Sequence, residues 1–191
     1  MKDLVLVVGL GNPGPQYHST RHNAGFLCLD EVARALGIAF HPHPRREALV
    51  AEGRFGGRPF RLVKPLSYMN RSGPVVAEFL QESPVPVEDL WIIHDDMDLP
   101  LGTIRLKRGG GSAGHRGVDS VMAAIGPDFA RIRIGVGRPP EGVAVVDWVL
   151  SPPMGEEAEA FQDGIRKGAQ ALFAVYEHGW EEAMNRFHRR R

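Results

Sequence analysis

The sequence contains a single cysteine, no long apolar run and no net charge. Because Cys28 has no second cysteine to pair with, a disulfide within the chain is excluded. Its place in an apolar helical pattern predicts a buried, unreactive thiol. No apolar run approaches the ~20 residues of a membrane span, and the N-terminus lacks the basic stretch and apolar core of a signal peptide. We therefore expect a cytoplasmic protein with no membrane partner.

A net charge of zero argues at first against a nucleic-acid partner, but the charges are unevenly distributed. Acids are concentrated in residues 78–98 and 156–163, whereas residues 104–138 and 186–191 are rich in basic side chains. Such asymmetry allows a basic face that suits a polyanion, although each residue taken alone is as readily explained as solvated surface. The basic residues of these two segments are Arg105, Lys107, Arg108, Arg116, Arg131, Arg133, Arg138, Arg186, Arg189, Arg190 and Arg191.

Hydrophobic periodicity predicts an alternation of strands and helices. A length of 191 residues fits one domain with a full core, so we expect a single domain over residues 1–191. The expected fold class is α/β, with a twisted mixed β-sheet flanked by helices. The predicted strands are 3–8, 48–55, 59–64, 90–94, 103–107 and 131–136, with a further strand-like stretch at 144–150. The predicted helices are 23–36, 73–82, 115–125, 156–177 and 180–188.

The first strand leads directly into a polar loop, residues 9–22, which contains Asn12, Tyr17 and His22 and is followed by Asn23. In open α/β sheets, ligands bind where strand ends open into loops. His22 is the side chain of this loop best suited to exchange a proton near neutral pH. The loop is therefore the first candidate for a functional site.

The same loop contains a G-x-G-x-x-G pattern between Gly9 and Gly14. A dinucleotide site needs a helix that begins at the third glycine, together with an acid at the end of the second strand. Pro15 and further polar residues come before any helix, and the expected acid is missing. We reject the nucleotide interpretation.

A second short pattern, G-x-S-x-G, surrounds Ser112 and is typical of serine esterases. The preceding segment alternates and is charged, whereas a nucleophile elbow follows a buried strand. Three consecutive glycines also suit a mobile or phosphate-binding loop better than a sharp turn. A serine esterase is kept as the weaker hydrolase hypothesis.

Three carboxylates, Asp95, Asp96 and Asp98, follow the most apolar strand. They are consistent with a Mg²⁺ site, with caps of the following turn, or with one carboxylate that orients a histidine on a neighbouring loop. The sequence leaves these three alternatives open.

A loop before the second helix contains Tyr68, Met69 and Asn70. Tyr68 offers a face on which a nucleobase or ribose can stack. Asn70 offers a neutral donor for an oxyanion, whereas Met69 is better explained by packing.

Four blocks, taken in order, carry a resemblance to a known family. They read N-P-G-x-x-Y-x-x-x-R-H-N-A-G at 12–25, K-P-x-x-Y-M-N-x-S-G at 64–73, H-D-D-x-D-L-P-x-G at 94–102 and K-x-G-G-G-S-A-G-H-x-G at 107–117. Together they resemble bacterial-type peptidyl-tRNA hydrolase over nearly the whole chain. The resemblance implies a monomeric enzyme that needs no metal or cofactor. Its reaction would be cleavage of the ester between a peptide and the 3′ end of tRNA, which recycles tRNA from stalled translation.

Carried over by position, His22 corresponds to the general base that activates water, and Asp95 to the carboxylate that orients it. Asn12 corresponds to a residue that helps to distinguish peptidyl from free aminoacyl substrates. Lys107 and Arg133 correspond to a basic pair that holds a tRNA phosphate. The further substrate contacts that the resemblance implies are Tyr17, Asn23, Tyr68, Met69 and Asn70.

One position departs from the family pattern. Where members commonly have asparagine in G-H-N-G, this sequence has Arg116. A guanidinium only donates and is always charged. Arg116 could lie near His22 and lower its pKa, bind a phosphate near the tRNA acceptor end, or be a solvated arginine at a helix start. Of these alternatives, we expect Arg116 to contact the substrate. A rival from another functional class is a non-catalytic tRNA-binding module that uses the basic segment 105–133.

Overall fold

A seven-stranded sheet organises residues 3–188, the part of the chain that the computed structural model describes. Its strands are β1 (Val5–Gly9), β2 (His41–Pro42), β3 (Ala48–Phe55), β4 (Arg58–Pro65), β5 (Leu90–Asp96), β6 (Ile104–Arg108) and β7 (Ala130–Gly135). The helices are α1 (Ala24–Leu36), α2 (Ser72–Glu82), α3 (Arg116–Ile125), α4 (Val145–Val149), α5 (Glu156–His178) and α6 (Trp180–Phe187).

The strand order is β2-β3-β4-β1-β5-β7-β6. The four central strands, β4, β1, β5 and β7, run parallel, and the strands at both edges are antiparallel to their neighbours. The chain leaves β1 toward β4 on one side and later returns to β5 on the other. The carboxyl end of β1 is therefore a switch point, where open α/β sheets form a crevice.

Helices cover both faces of the sheet because alternate residues of the central strands are apolar on each face. On one face, α1, α5 and α6 pack over side chains such as Val5, Val7 and Ile93. On the other, α2 and α3 pack over Leu6, Val8 and their neighbours. The sheet is thus the middle of three layers.

Helix α1 approaches the sheet closely at Gly25. A Cβ on this residue would lie 2.3 Å from the carbonyl oxygen of Ile93 and 2.5 Å from the backbone nitrogen of Leu10. Only glycine permits this contact, and it fixes the height of the turn that precedes α1. One turn further on, Cys28 is fully buried, and burial raises the pKa of its thiol.

The predicted α/β fold with a mixed sheet is confirmed, and eleven predicted elements agree with the structure within one or two residues. The prediction of a strand-like stretch at 144–150 is wrong, because Val145–Val149 is a short helix. Its β-branched residues favour a strand, but both sheet edges already carry antiparallel strands, and prolines and glycines bracket the segment. Arg189, Arg190 and Arg191 lie outside the described residues. Within residues 3–188, no helix has the length and apolar character to cross a membrane.

Candidate active site

Three side chains that are distant in sequence meet beside the carboxyl ends of β1 and β5. Asp95, near the end of β5, is buried. His22 belongs to the 3₁₀ turn Arg21–Asn23 that leads into α1. His115 is the N-cap residue of α3. The close contact at Gly25 holds the His22 turn against the sheet end that carries Asp95.

Asp95 accepts hydrogen bonds from both histidines. Nδ1 of His22 lies 3.0 Å from Oδ1 and 2.9 Å from Oδ2 of the carboxylate. Nε2 of His115 lies 2.8 Å from Oδ1. The two imidazole rings are tilted against each other with centroids 5.0 Å apart. One buried carboxylate therefore orients two rings.

The partners of each ring assign its proton. Nδ1 of His115 accepts from the backbone N–H of Val118 at 3.2 Å, so the proton of the neutral ring lies on Nε2 and points at Asp95. A carboxylate only accepts, so His22 donates from Nδ1 as well. When the His22 ring is neutral, its other nitrogen, Nε2, carries no proton and can act as a base.

The pKa values of this pair shift in opposite directions. Burial alone would raise the pKa of Asp95, but the charges of His22 and His115 and their hydrogen bonds hold it well below its ordinary value. Burial opposes a positive His22, yet the charge of Asp95 and its hydrogen bond outweigh this effect and raise the pKa of His22. Asp95 therefore stays ionised and stabilises a protonated His22.

A cleft of about 220 Å³ opens beside His22. Val145, Val146 and Val149 of α4 give it an apolar wall, and the first two are 49% and 61% exposed. The other lining residues are His94, Asp95, Asp96, Met97, Asp98, Ser112, Ala113, Gly114, His115 and Arg116.

Arg21, immediately before His22, ties α4 to the turn that carries His22. Its guanidinium stacks 3.4 Å from the ring centroid of Trp148. One terminal nitrogen donates to the carbonyl of Trp148 at 3.2 Å and to the carbonyl of Ser151 at 3.0 Å, and the other pairs with Glu157 at 3.4 Å. Arg21 therefore connects the turn that contains His22 to α4, the helix that forms the apolar wall of the cleft.

Asn12, Asn23 and Met69 form a connected brace beside the cleft. The side chain of Asn23 accepts from the Asn12 backbone N–H at 2.8 Å and donates to the Asn12 carbonyl at 2.9 Å. Oδ1 of Asn12 accepts from the backbone N–H of Met69 at 2.7 Å. Because Oδ1 is occupied in this way, the amide presents Nδ2 as a donor. Met69 packs against Gly117 at the start of α3, where a Cβ would lie 2.4 Å from its Sδ.

Tyr17 ends the 3₁₀ turn Pro15–Tyr17, and Tyr68 and Asn70 lie at the start of the 3₁₀ turn Met69–Arg71. None of the three is among the described residues that line the cleft. Tyr68 is 53% exposed and has a φ of 67°. A positive φ is strained for a tyrosine and persists only where the surroundings impose it. The exposed ring of Tyr68 offers a face for stacking.

The three carboxylates after β5 do not gather around one point. Asp96 accepts from Nε of Arg133 at 2.7 Å and from the backbone N–H of Asp98 at 2.8 Å, so it caps the turn. Asp98 pairs with Arg138. Of the three alternatives, the structure favours a capping role for Asp96 and an orienting role for Asp95 over a magnesium site.

Ser112 lines the cleft, but its surroundings differ from those of a nucleophile elbow. The strand before it, β6, is an edge strand and runs antiparallel to β7. The hydroxyl oxygen of Ser112 accepts from the backbone N–H of Gly114 at 3.2 Å. The serine esterase hypothesis lacks the buried strand that it requires.

Basic side chains share one face of the β6–β7 edge. The register pairs Lys107 with Arg131 and Arg105 with Arg133, and directly opposed residues project to the same face. Arg131 is buried and donates to the carbonyls of Gly110 and Pro127, each at 2.9 Å. Lys107 is exposed and Arg133 half-buried. The structure thus brings Lys107 and Arg133 to one face, with Arg131 supporting the glycine loop.

His22, Asp95 and His115 also form a candidate metal site among the described residues. Each offers one ligand atom, and these atoms all lie within 4.8 Å of one another. Each of these atoms already takes part in a hydrogen bond to or from Asp95. A metal on Nε2 of His115 would move its proton to Nδ1, where the N–H of Val118 points. The donor arrangement fits a proton-transfer network better than a metal.

Sequence reasoning assigned no role to His115, Arg21 or α4. His115 lies within the fourth family-like block, and Arg21 stands beside His22 in the first, so both were visible as motif positions. The contact between β5 and α3 could not be predicted from the sequence. The same is true of the contact between the turn that contains His22 and residues 148–157.

Comparison with known proteins identifies the family of this chain. Residues 6–191 match the family model described as peptidyl-tRNA hydrolase. A peptidyl-tRNA hydrolase from Rhodococcus jostii is 43% identical over 98% of this chain and 99% of its own. One from Aquifex aeolicus is 45% identical over 95% of both chains. The crystal structure of peptidyl-tRNA hydrolase from Acinetobacter baumannii superposes with a TM-score of 0.91 at 36% identity, covering 98% of this chain and 95% of that one. The chain belongs to the peptidyl-tRNA hydrolase family.

Proposed function

We propose that this protein hydrolyses the ester of peptidyl-tRNA with His22 as the general base, and that it acts as a single-domain monomer without metal or cofactor. The observation that carries the proposal is the position of Asp95 between His22 and His115. This arrangement leaves Nε2 of His22, which lines the cleft, as the base. Because the substrate is a product of translation, the same proposal has the protein acting in the cytoplasm.

In the proposed reaction, Nε2 of His22 takes a proton from water as the oxygen attacks the ester carbonyl carbon. The tetrahedral intermediate then expels the 3′ oxygen of the tRNA, which receives the proton from His22. The charge of Asp95 stabilises the imidazolium between these steps. No covalent nucleophile is required.

General base catalysis accounts for roughly 10²–10⁴-fold of the rate, and positioning and electrostatics account for the rest. Asn70 is proposed to donate to the developing oxyanion. Nδ2 of Asn12, presented by the bond between its Oδ1 and Met69, is proposed to contact the peptidyl part of the substrate. Asn23 and Met69 hold Asn12 in that orientation.

The tRNA is proposed to lie along the basic face of β6 and β7. Lys107 and Arg133 would bind phosphate there, with Asp96 fixing the position of Arg133. Tyr17 and Tyr68 would stack against the acceptor end. Arg116, exposed at the cleft, would contact the substrate near its 3′ end.

Release of N-acetyl-amino acids from charged tRNA tests this proposal. His22→Ala should reduce kcat/KM by about 10²-fold or more, since a general base supplies at least that much. Ser112→Ala, a matched change in the same cleft, should retain most of the activity. EDTA should leave the rate unchanged.

A dead Ser112→Ala protein beside an active His22→Ala protein would establish the serine esterase instead. Tight binding of peptidyl-tRNA with no turnover by the unaltered protein would establish a non-catalytic binding module.

A further inference from the structure

A third histidine, His94, lines the cleft but has no part in the proposed proton transfer. It lies on β5 next to Asp95 and is only 4% exposed. Its ring packs edge-on against His115 with centroids 5.0 Å apart. A buried imidazole beside a reaction centre calls for a chemical explanation.

The partners of His94 define the state of its ring. Nδ1 lies 2.8 Å from the carbonyl oxygen of Asp95, and because a carbonyl only accepts, Nδ1 carries the proton. Burial, together with the neighbouring His115, lowers the pKa of His94 to about 3. The ring is therefore neutral at physiological pH, and Nε2 acts only as an acceptor.

Nε2 of His94 is buried, and no group within residues 3–188 donates a hydrogen bond to it. Buried acceptors are nearly always satisfied, because an unmade hydrogen bond in a low-dielectric site is costly. The other described side-chain atoms that are buried without a hydrogen-bond partner are arginine Nε atoms, such as those of Arg21 and Arg131. The guanidiniums of these two arginines form hydrogen bonds through their terminal nitrogens. His94 alone among them is a one-lone-pair acceptor at the cleft.

We infer that Nε2 of His94 accepts a hydrogen bond from the 2′-hydroxyl of the terminal ribose of the tRNA. This inference rests on the proposed function. The 2′-hydroxyl is the only hydroxyl left on that ribose, because the 3′ oxygen carries the ester and the 5′ oxygen a phosphate.

Two features place the ribose near His94. The 2′-hydroxyl is vicinal to the ester on which His22 acts, and one imidazole, His115, separates the rings of His22 and His94. The sheet register also pairs His94 with Arg133, so both project to the same face, where phosphate binding is proposed. The nucleotide side of the substrate therefore faces His94. A hydrogen bond from the 2′-hydroxyl to His94 would distinguish an acceptor end made of RNA from one made of DNA.

The test compares N-acetyl-aminoacyl-tRNA that ends in adenosine with the same molecule that ends in 2′-deoxyadenosine. Deoxygenation also changes the reactivity of the ester, so each enzymatic kcat/KM is divided by the rate of uncatalysed alkaline hydrolysis of that ester. The unaltered protein should then prefer the ribose substrate by about fivefold, the effect of one neutral hydrogen bond.

Two variants separate the acceptor from the rest of the ring. His94→Asn keeps a donor near the position of Nδ1 for the Asp95 carbonyl and removes Nε2, so its preference for ribose should fall close to one. His94→Gln, the matched control, places an amide oxygen near the position of Nε2 and should keep part of the preference. Their folding is checked by the midpoint of urea unfolding.

Equal corrected rates of the unaltered protein on both substrates would overturn the inference without any variant. So would a His94→Asn protein that loses activity equally on both substrates, since the donor would then be the peptide N–H or a water. If the ribose substrate itself is not turned over, the proposed function fails instead.

Discussion

At the scale of single residues, one carboxylate controls two imidazoles in different ways. Nδ1 of His115 accepts from the first turn of α3, whereas His22 bonds Asp95 through Nδ1 and keeps Nε2 for a proton. The negative charge of Asp95 therefore favours protonation of His22. The cap geometry of α3 thus distinguishes the two histidines that Asp95 orients.

This predicts the pH dependence of the reaction. Because the pKa of His22 is raised and the base must be unprotonated, kcat/KM should rise with pH and reach half its maximum above pH 6.5, the ordinary value. In Asp95→Asn the attraction is lost while burial remains, so the midpoint should move to lower pH. The plateau should also fall, by about 10²-fold or more. A midpoint unaffected by Asp95→Asn would mean that another group is the base.

Arg116 gives a second prediction at this scale. It is exposed on the cleft, and none of the ion pairs within residues 3–188 includes it. Arg116→Asn, which restores the family pattern, should raise KM by roughly threefold to tenfold while kcat changes less. The KM difference should be larger at low salt, because salt screens an exposed charge. Kinetics that match those of the unaltered protein at every ionic strength would leave Arg116 as solvated surface.

At the scale of elements, α4 and the turn that carries His22 behave as one unit joined by Arg21. The guanidinium stacks on Trp148 and donates to backbone carbonyls, and the Trp148 indole donates to the carbonyl of Gly137 at 2.9 Å. These contacts hold a helix of five residues that is too short to be stable alone.

Arg21→Lys tests this connection. Lysine keeps the charge but not the planar fork or the stacking face, so the free energy of unfolding should fall by roughly 1–3 kcal/mol. KM should rise, since the valine wall loses its anchor. Arg34→Lys, at an exposed ion pair with Glu31, is the matched control and should change stability by less than about 0.5 kcal/mol. Urea unfolding measures both, and equal effects of the two substitutions would contradict the role of Arg21.

Predictability also differs between elements. The central strands and the long helices follow from local periodicity, and their bounds agree with the structure. The segment 144–150 could not be predicted in this way, because Arg21, which packs on Trp148, lies more than a hundred positions away in the sequence. His22 and Asp95 were found through motifs. The role of His115 depends on contact between β5 and α3, which no local pattern contains.

At the scale of the whole molecule, a chain with no net charge places several basic side chains together on the β6–β7 edge. Arg105, Lys107, Arg131 and Arg133 project from one face of β6 and β7. Helix α5, whose first turn is acidic, packs on the opposite face of the sheet. Net charge therefore says little about the partner of this protein, and the position of the charges says more.

Salt dependence of tRNA binding tests this edge. Lys107→Ala and Arg133→Ala should each weaken binding and reduce the slope of log affinity against log salt by about 0.7–0.9 per lost phosphate contact. Lys167→Ala changes the same charge on α5, which covers the other face, and should leave the slope unaltered. An unchanged slope for both edge variants would remove them from the tRNA interface.

The burial of Cys28 has a practical consequence for spectroscopy. A fully buried thiol with a raised pKa offers almost no thiolate to maleimide reagents. A cysteine placed at Met154, which is 73% exposed just beyond α4, would be the one reactive thiol among residues 3–188. A fluorophore could then be attached at that position without first removing the native cysteine.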